Sequence, residues 1–171
     1  MYRRNIWSIN LTLVLCFCFS QFAYSLETDF GKNIIIDANQ QKLDLKNNTL
    51  TFLGKVEISQ GSLKMTADKL EVIKNESENN QQELLIATGQ PALYTQTLES
   101  GEVLTAQALE IRYLVAEKLL TLKGEAKITQ KDSLVNGDKI EYDLTKQKLV
   151  ASSNKQSGNK VRTVLTPKSE Q

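Results

Sequence analysis

Apolar and polar residues alternate along most of this chain with a period of two. Phe52, Val56 and Ile58 fall on one parity, as do Met65 and Ala67, Leu120 and Leu122, Ala126 and Ile128, and Ile140 and Tyr142. That is the spacing of β-strands with one buried face, since successive side chains of a strand point to opposite sides. At four places the inward position advances by three residues instead of two. The steps are Ala38 to Gln41, Ala67 to Leu70, Ala106 to Leu109 and Gly137 to Ile140. A strand keeps its apolar side on the core across an odd step only by bending or bulging. Corners are therefore expected at Ala38-Asn39, Ala67-Asp68, Ala106-Gln107 and Gly137-Asp138. Small residues there let backbones approach, and an Asp or Asn beside them is placed to bond the turning chain.

One stretch occurs twice. Gly54–Val72 reads GKVEISQGSLKMTADKLEV, and seventy residues on Gly124–Tyr142 reads GEAKITQKDSLVNGDKIEY, with Gly, Ile, Gln, Asp, Lys and Glu recurring in place. An internal β repeat of this length means units that stack to share one elongated core. About sixteen short strands are expected and no helix. Residues 109–123 are the one place where a helix competes, but Leu109, Ile111 and Tyr113 alternate. The polar run Lys74–Glu83 reads as an exposed loop, Glu27–Lys32 as a polar lead, Ser152–Lys160 as a loop and Val161–Leu165 as a last strand. Pro91 disturbs the parity and leaves open whether Leu93 or Tyr94 faces inward. The fold class is all-β: a sandwich, a jelly roll or a β-solenoid-like roll.

The amino terminus stands apart from this pattern. Arg3 and Arg4, the apolar run Leu11–Phe19 and Ala23-Tyr24-Ser25 form a secretory signal peptide with cleavage expected after Ser25. The apolar run is too short to span a bilayer. Leu15 and Phe17 precede Cys16 and Cys18 where a lipoprotein signal wants a small residue. The expected organisation is therefore a signal at 1–25, one domain at 26–166 and a flexible tail at 167–171. Losing Arg3 and Arg4 shifts the formal charge from +1 to −1 and removes both cysteines. Such a near-neutral, thiol-free chain has no footprint for nucleic acid.

Candidate chemistry is sparse. The chain has no histidine, which excludes a Ser-His-Asp triad and histidine zinc sites. No phosphate-binding or nucleophile-elbow motif is present. Asp68 with Glu71, and Asp138 with Glu141, are better read as turn and surface residues of the repeat than as catalytic pairs. No cofactor, metal or enzymatic activity is expected. The candidate site is the apolar interior, where the inward set includes Phe52, Val56, Ile58, Met65, Leu70, Ile111, Tyr113, Leu122, Ile128, Ile140 and Tyr142. Such a set also describes an ordinary closed core. A single-layer roll ends in strands with unpaired backbone groups. Ile34, Ile35 and Ile36 at one end and Val161, Val164 and Leu165 at the other are the candidate edges for pairing with a partner.

Several segments, in order, resemble the OstA-like family of periplasmic lipopolysaccharide transport proteins. They are IDANQQ (36–41), TFLGKVEISQG (51–61), ADK (67–69), GQPALYTQ (89–96), LKGEAKITQ (122–130), GDKIEY (137–142) and TVL (163–165). The resemblance implies a single twisted β jelly roll of antiparallel strands, a slightly open V with two facing sheets. It further implies that lipopolysaccharide acyl chains lie between the sheets, with Ile34, Ile36, Tyr94 and Tyr113 lining the groove beside the inward set. Relatives carry Phe where this chain has Tyr94, whose hydroxyl needs a partner. The implied partners are lipopolysaccharide, an inner-membrane LptC-like component, the periplasmic domain of an outer-membrane LptD-like component, and further copies joined head to tail. Two readings stand beside the carrier: a structural β-roll adaptor without lipid, and an LptC-like component anchored at the inner membrane. A carbohydrate-active jelly roll is weakened by the few stacking aromatics and by the place of Trp7 in the signal segment.

Overall fold

The computed structural model describes residues 29–77, 80–154 and 158–166. The expected signal peptide and tail lie outside them. Ten antiparallel strands form one sheet: β1 (Ile35–Asp37), β2 (Gln40–Asp44), β3 (Thr49–Gln60), β4 (Leu63–Ser77), β5 (Asn80–Thr97), β6 (Val103–Leu114), β7 (Leu119–Gln130), β8 (Ser133–Asp143), β9 (Lys148–Ser152) and β10 (Arg162–Leu165). Neighbours follow chain order from β3 to β8. The sheet is closed at one end by β1 and β2, both paired to β3, and at the other by β9 and β10, both paired to β8.

Every long strand breaks register at the same level of the sheet. The shifts fall between Leu53 and Val56, Thr66 and Lys69, Thr88 and Ala92, Gln107 and Glu110, and Lys123 and Ala126. Together they form a crease across the sheet. Gly54 with Lys55 and Gly124 with Glu125 take positive φ and set two residues against one on the facing strand, which is a bulge. The crease divides the sheet into two half-sheets. The first holds β1, β10 and residues 56–60, 63–67, 92–97, 103–108, 126–130 and 133–137. The second holds β2, β9 and residues 49–53, 69–77, 80–88, 110–114, 119–123 and 139–143. Buried apolar residues of both halves form one cluster. The expected sixteen short strands are thus six long strands, each bent once, and four short ones.

Three corners fall as the sequence predicts: Ala38-Asn39 lies between β1 and β2, and Ala67-Asp68 and Gly137-Asp138 lie on the crease. The third is displaced from Ala106-Gln107 to Ala108-Leu109, where two residues of β6 stand out of register. Ala106 and Ala108 are both buried, whereas Leu109 is 42% exposed, not inward. Two alanine-sized inward steps bring the strand to the crease before it turns, a position that apolarity alone does not mark. Leu43 and Leu45 likewise stand exposed, at the edge of the second half-sheet where, among the described residues, no strand lies beyond β2.

The ladder of β4 and β5 continues into the polar run, through Lys74–Ser77 on one side and Asn80–Glu83 on the other, instead of looping out. Lys74 pairs with Glu83 and Asn75 with Gln82, and a Lys74–Glu83 ion pair of 3.2 Å spans the rungs. Backbone hydrogen bonds carry this hairpin where no apolar face is needed. Turns at the far margin are held by aspartates. The Asp44 Oδ1 accepts from the Lys46 and Asn47 amides at 3.0 and 3.1 Å, and Asp143 Oδ1 accepts from Thr145 and Lys146 at 3.1 and 2.8 Å. The lead at 27–32 contains a one-turn 3₁₀ helix, Asp29–Gly31, whose side-chain contacts are described below.

Candidate functional site: an apolar interior with a polar seam

The two half-sheets bring the inward residues together. Phe52, Leu70, Ile111, Tyr113, Leu122, Ile140 and Tyr142 come from the second half, and Val56, Ile58, Met65, Tyr94 and Ile128 from the first. All twelve are buried in the same cluster. Ile34 and Ile36 are half-buried and pack against it at the β1 end. Parity resolves at Pro91 in favour of Tyr94, which is fully buried, while Leu93 is exposed. Of the candidate edge residues, Ile35, Val161, Val164 and Leu165 are exposed.

A polar seam runs along the mouth, the margin opposite the crease. Gln60 and Gln96 are the buried polar side chains among the described residues, and Gln130 holds the place of Gln60 in the second repeat copy. The Tyr113 hydroxyl, from the second half-sheet, donates to Gln60 Oε1 at 3.5 Å, and the Tyr142 hydroxyl donates to Gln130 Oε1 at 3.2 Å. Both contacts cross from one half to the other. Tyr94 donates to Gln96 Oε1 at 2.6 Å within its own strand, which supplies the partner its hydroxyl requires. Burial raises the pKa of all three phenols. Tyr94 feels Tyr113 and Asp29 in addition, Tyr113 is pushed up to about 12 with Asp29 nearby, and Tyr142 also feels Glu102. The seam was not anticipated, although Gln60 and Gln130 sit on the inward parity after Ile58 and Ile128 and recur in the repeat.

Two clefts reach this region from solvent. One, of about 480 Å³, opens at the β9–β10 end and is lined by Ile128, Gln130, Val135, Tyr142, Leu149 and Leu165 among others. The other, of about 660 Å³, lies along the mouth between residues 96–99 and 144–147, with Asp29, Phe30 and Lys118 on its walls. Gln147 lines both. Neither cleft reaches most of the inward set, which is closed.

Asp29 anchors the chain at the mouth. Its Oδ1 accepts from the Ser62 amide at 2.8 Å, and its Oδ2 accepts from the Ser62 hydroxyl and from Gln96 Nε2, the latter at 3.2 Å. Burial works to raise its pKa. The hydrogen bonds from Ser62 and Gln96, with Lys32 nearby, outweigh it and leave the carboxyl below the usual value. Three of the four carboxylates of the repeat have partners of their own. Glu71 and Glu141 pair with Lys69 and Lys139 at 3.0 and 2.7 Å, and Asp138 accepts from the Asn154 amide at 2.6 Å, fixing the chain beyond β9.

Known proteins share this architecture. Residues 35–148 match the family described as LptA/(LptD N-terminal domain) LPS transport protein. The lipopolysaccharide export system protein LptA of Escherichia coli is 35% identical over 167 residues, covering 97% of this chain and 89% of the relative. LptA of Haemophilus influenzae is 34% identical over 156 residues, covering 91% and 88%. The crystal structure of Pseudomonas aeruginosa LptH, titled the LptA homologous periplasmic component of a lipopolysaccharide transport device, matches with a TM-score of 0.72 at 27% identity. That match covers 81% of this chain and 99% of LptH.

Proposed function

Because this chain belongs to the LptA/LptD N-terminal-domain family of lipopolysaccharide transport proteins, we propose that it carries lipopolysaccharide across the periplasm with the acyl chains between its half-sheets. The observation that most supports this reading is a continuous apolar interior between two halves of one sheet, opening at the β9–β10 end where Ile128, Tyr142 and Leu149 line a cleft. Among the described residues, no strand ladder ties one half to the other except through the crease.

Lipid enters by parting the halves at the mouth. Among the described residues, the side-chain hydrogen bonds that join the two halves there are the Tyr113–Gln60 and Tyr142–Gln130 contacts, each worth about 1 kcal/mol net. Apolar contacts between the halves are exchanged for contacts with the acyl chain, so the interior loses little of its burial. The lipid gains about 0.8 kcal/mol per methylene removed from water, on the order of 10 kcal/mol for a chain of about twelve carbons. Release into water would therefore be slowed by roughly seven powers of ten. A row of such domains that passes the chains from groove to groove avoids that barrier, while the sugar head stays in water.

On this reading Ile34, Ile36, Tyr94 and Tyr113 and the rest of the buried set line the groove, and no catalytic step or cofactor is involved. Residues 1–25 direct export and are removed after Ser25, and residues 26–166 form the transport domain. The exposed edges around Ile35 and Val164 join copies head to tail and meet the LptC-like and LptD-like components by strand addition. Native mass spectrometry of the purified protein with excess rough lipopolysaccharide tests the carrier role. The expected spectrum holds a one-to-one complex that survives buffer exchange. A protein that stays lipid-free throughout overturns the reading.

A further inference from the structure

The segment before β1 lies along the mouth without pairing in the sheet, fastened to the first half-sheet and meeting the second through the Phe30 ring. Asp29 holds it to the first half through Ser62 and Gln96. Gln60 Nε2 donates to the carbonyls of Phe30 and Lys32 at 3.4 and 3.1 Å. On the other side the Lys118 ammonium, in the turn between β6 and β7, lies 4.3 Å from the centre of the Phe30 ring. Phe30 and Ile34 pack against the apolar cluster from above. The seat is shaped for this segment, because Gly61 takes φ +63° and any Cβ there would run into the Asp29 carboxylate.

We propose that residues 29–34 are a releasable strap that closes the mouth of the groove, with Asp29 as its latch and Phe30 as its plug. Three features separate a strap from a merely trailing end. It is fastened through side chains and carbonyls instead of a ladder, so it can leave without unzipping β1. It lies along the cleft of about 660 Å³ that runs to Leu98 and Leu144. Its departure also frees donors, since Ser62 N–H, Ser62 Oγ, Gln60 Nε2 and Gln96 Nε2 all spend hydrogen bonds on the strap. Those donors then face the mouth at the level where the carbonyl oxygens of acyl ester or amide linkages would lie, above chains buried below. A ligand with such acceptors replaces the strap bond for bond. This role for the freed donors rests on the acyl-carrier reading, whereas the strap itself does not.

The test measures uptake of the apolar dye N-phenyl-1-naphthylamine by the purified protein, with circular dichroism as the check on folding. Asp29→Asn is expected to accelerate uptake about tenfold, the change expected on losing roughly one hydrogen bond to a charged group, and Phe30→Ala, which removes the plug and its Lys118 contact, should accelerate it as well. Ser62→Ala should move in the same direction. Unchanged uptake in folded Asp29→Asn and Phe30→Ala proteins overturns the strap, and should one of these fail to fold, the other with Ser62→Ala decides. A second arm follows trypsin cleavage after Lys32 by mass spectrometry. Rough lipopolysaccharide vesicles should accelerate cleavage of the unmodified protein several-fold. Bound lipopolysaccharide that leaves this cleavage rate unchanged counts against release by ligand. Faster dye uptake in the variants with no lipopolysaccharide binding upholds the strap and defeats the acyl-carrier reading instead.

Discussion

Tyr113 spends its hydroxyl on a single contact that joins the two half-sheets, Gln60 Oε1, so its ionisation reports directly on the closed mouth. Its pKa is raised in the folded state to about 12 from an ordinary value of 10.0, chiefly by burial. A raised folded pKa contributes stability that is fully present below the unfolded value and is lost as pH rises through the folded one. Urea stability should accordingly fall from about pH 10 towards pH 12, and phenolate absorbance at 295 nm should appear late for Tyr94, Tyr113 and Tyr142. Tyr113→Phe should flatten that pH dependence and cost about 1 kcal/mol at neutral pH. Ordinary phenolate titration near pH 10 in the native protein would show the three rings to be solvated. Leu122 and Leu109 provide a second contrast at this scale. Leu122 is fully buried and Leu109 is 42% exposed, so Leu122→Ala should lower stability by about 2–5 kcal/mol and Leu109→Ala by far less, measured by urea denaturation.

Among the elements, the crease is what turns a ladder of hairpins into a container. Gly124 sits on it with φ +74°, and a Cβ there would lie 3.0 Å from Leu109 Cδ1, whereas Gly101, with φ +78°, has open space around it. Both glycines carry the backbone cost of about 1–2 kcal/mol for a left-handed L residue, but only Gly124 adds a steric one. Gly124→Ala should therefore destabilise more than Gly101→Ala in thermal melts, and Leu109→Ala should relieve part of the difference. Equal losses at the two positions would mean that Leu109 does not pack at the crease. The sequence exposes the crease because an odd step in an alternating pattern forces a bend, and the repeat shows it twice. It misplaces the third corner because Ala106 and Ala108 are both small and inward, so parity alone cannot tell where the strand turns. The hairpin at Lys74–Glu83 was invisible for a related reason: its ladder is held by backbone bonds, and polar residues leave no alternation to read. The buried apolar set of the interior was legible as inward positions. The seam was half legible, since Gln60 and Gln130 continue the inward parity, while the strap was not, because Asp29 and Phe30 act through partners more than thirty residues away.

As a whole molecule, the sheet has two ends that differ in what they expose. Ile35 and Leu43 stand out at the β1–β2 end and Val164 and Leu165 at the β9–β10 end, each beside a strand with one unpaired edge. Ile35→Lys should place a charge on the free edge and lower concentration-dependent association in sedimentation velocity runs, while Glu57→Lys, on the outer face, should not. Association untouched by Ile35→Lys would move the contact away from this edge. The interior poses the larger question, because a closed core and an acyl groove share the same residues. Photo-crosslinking separates them. With p-benzoylphenylalanine at Ile36 or Tyr113, the account predicts covalent capture of lipopolysaccharide in cells, and none from the exposed positions Lys55 and Glu57. Capture from Lys55 or Glu57 with none from Ile36 or Tyr113 would contradict it.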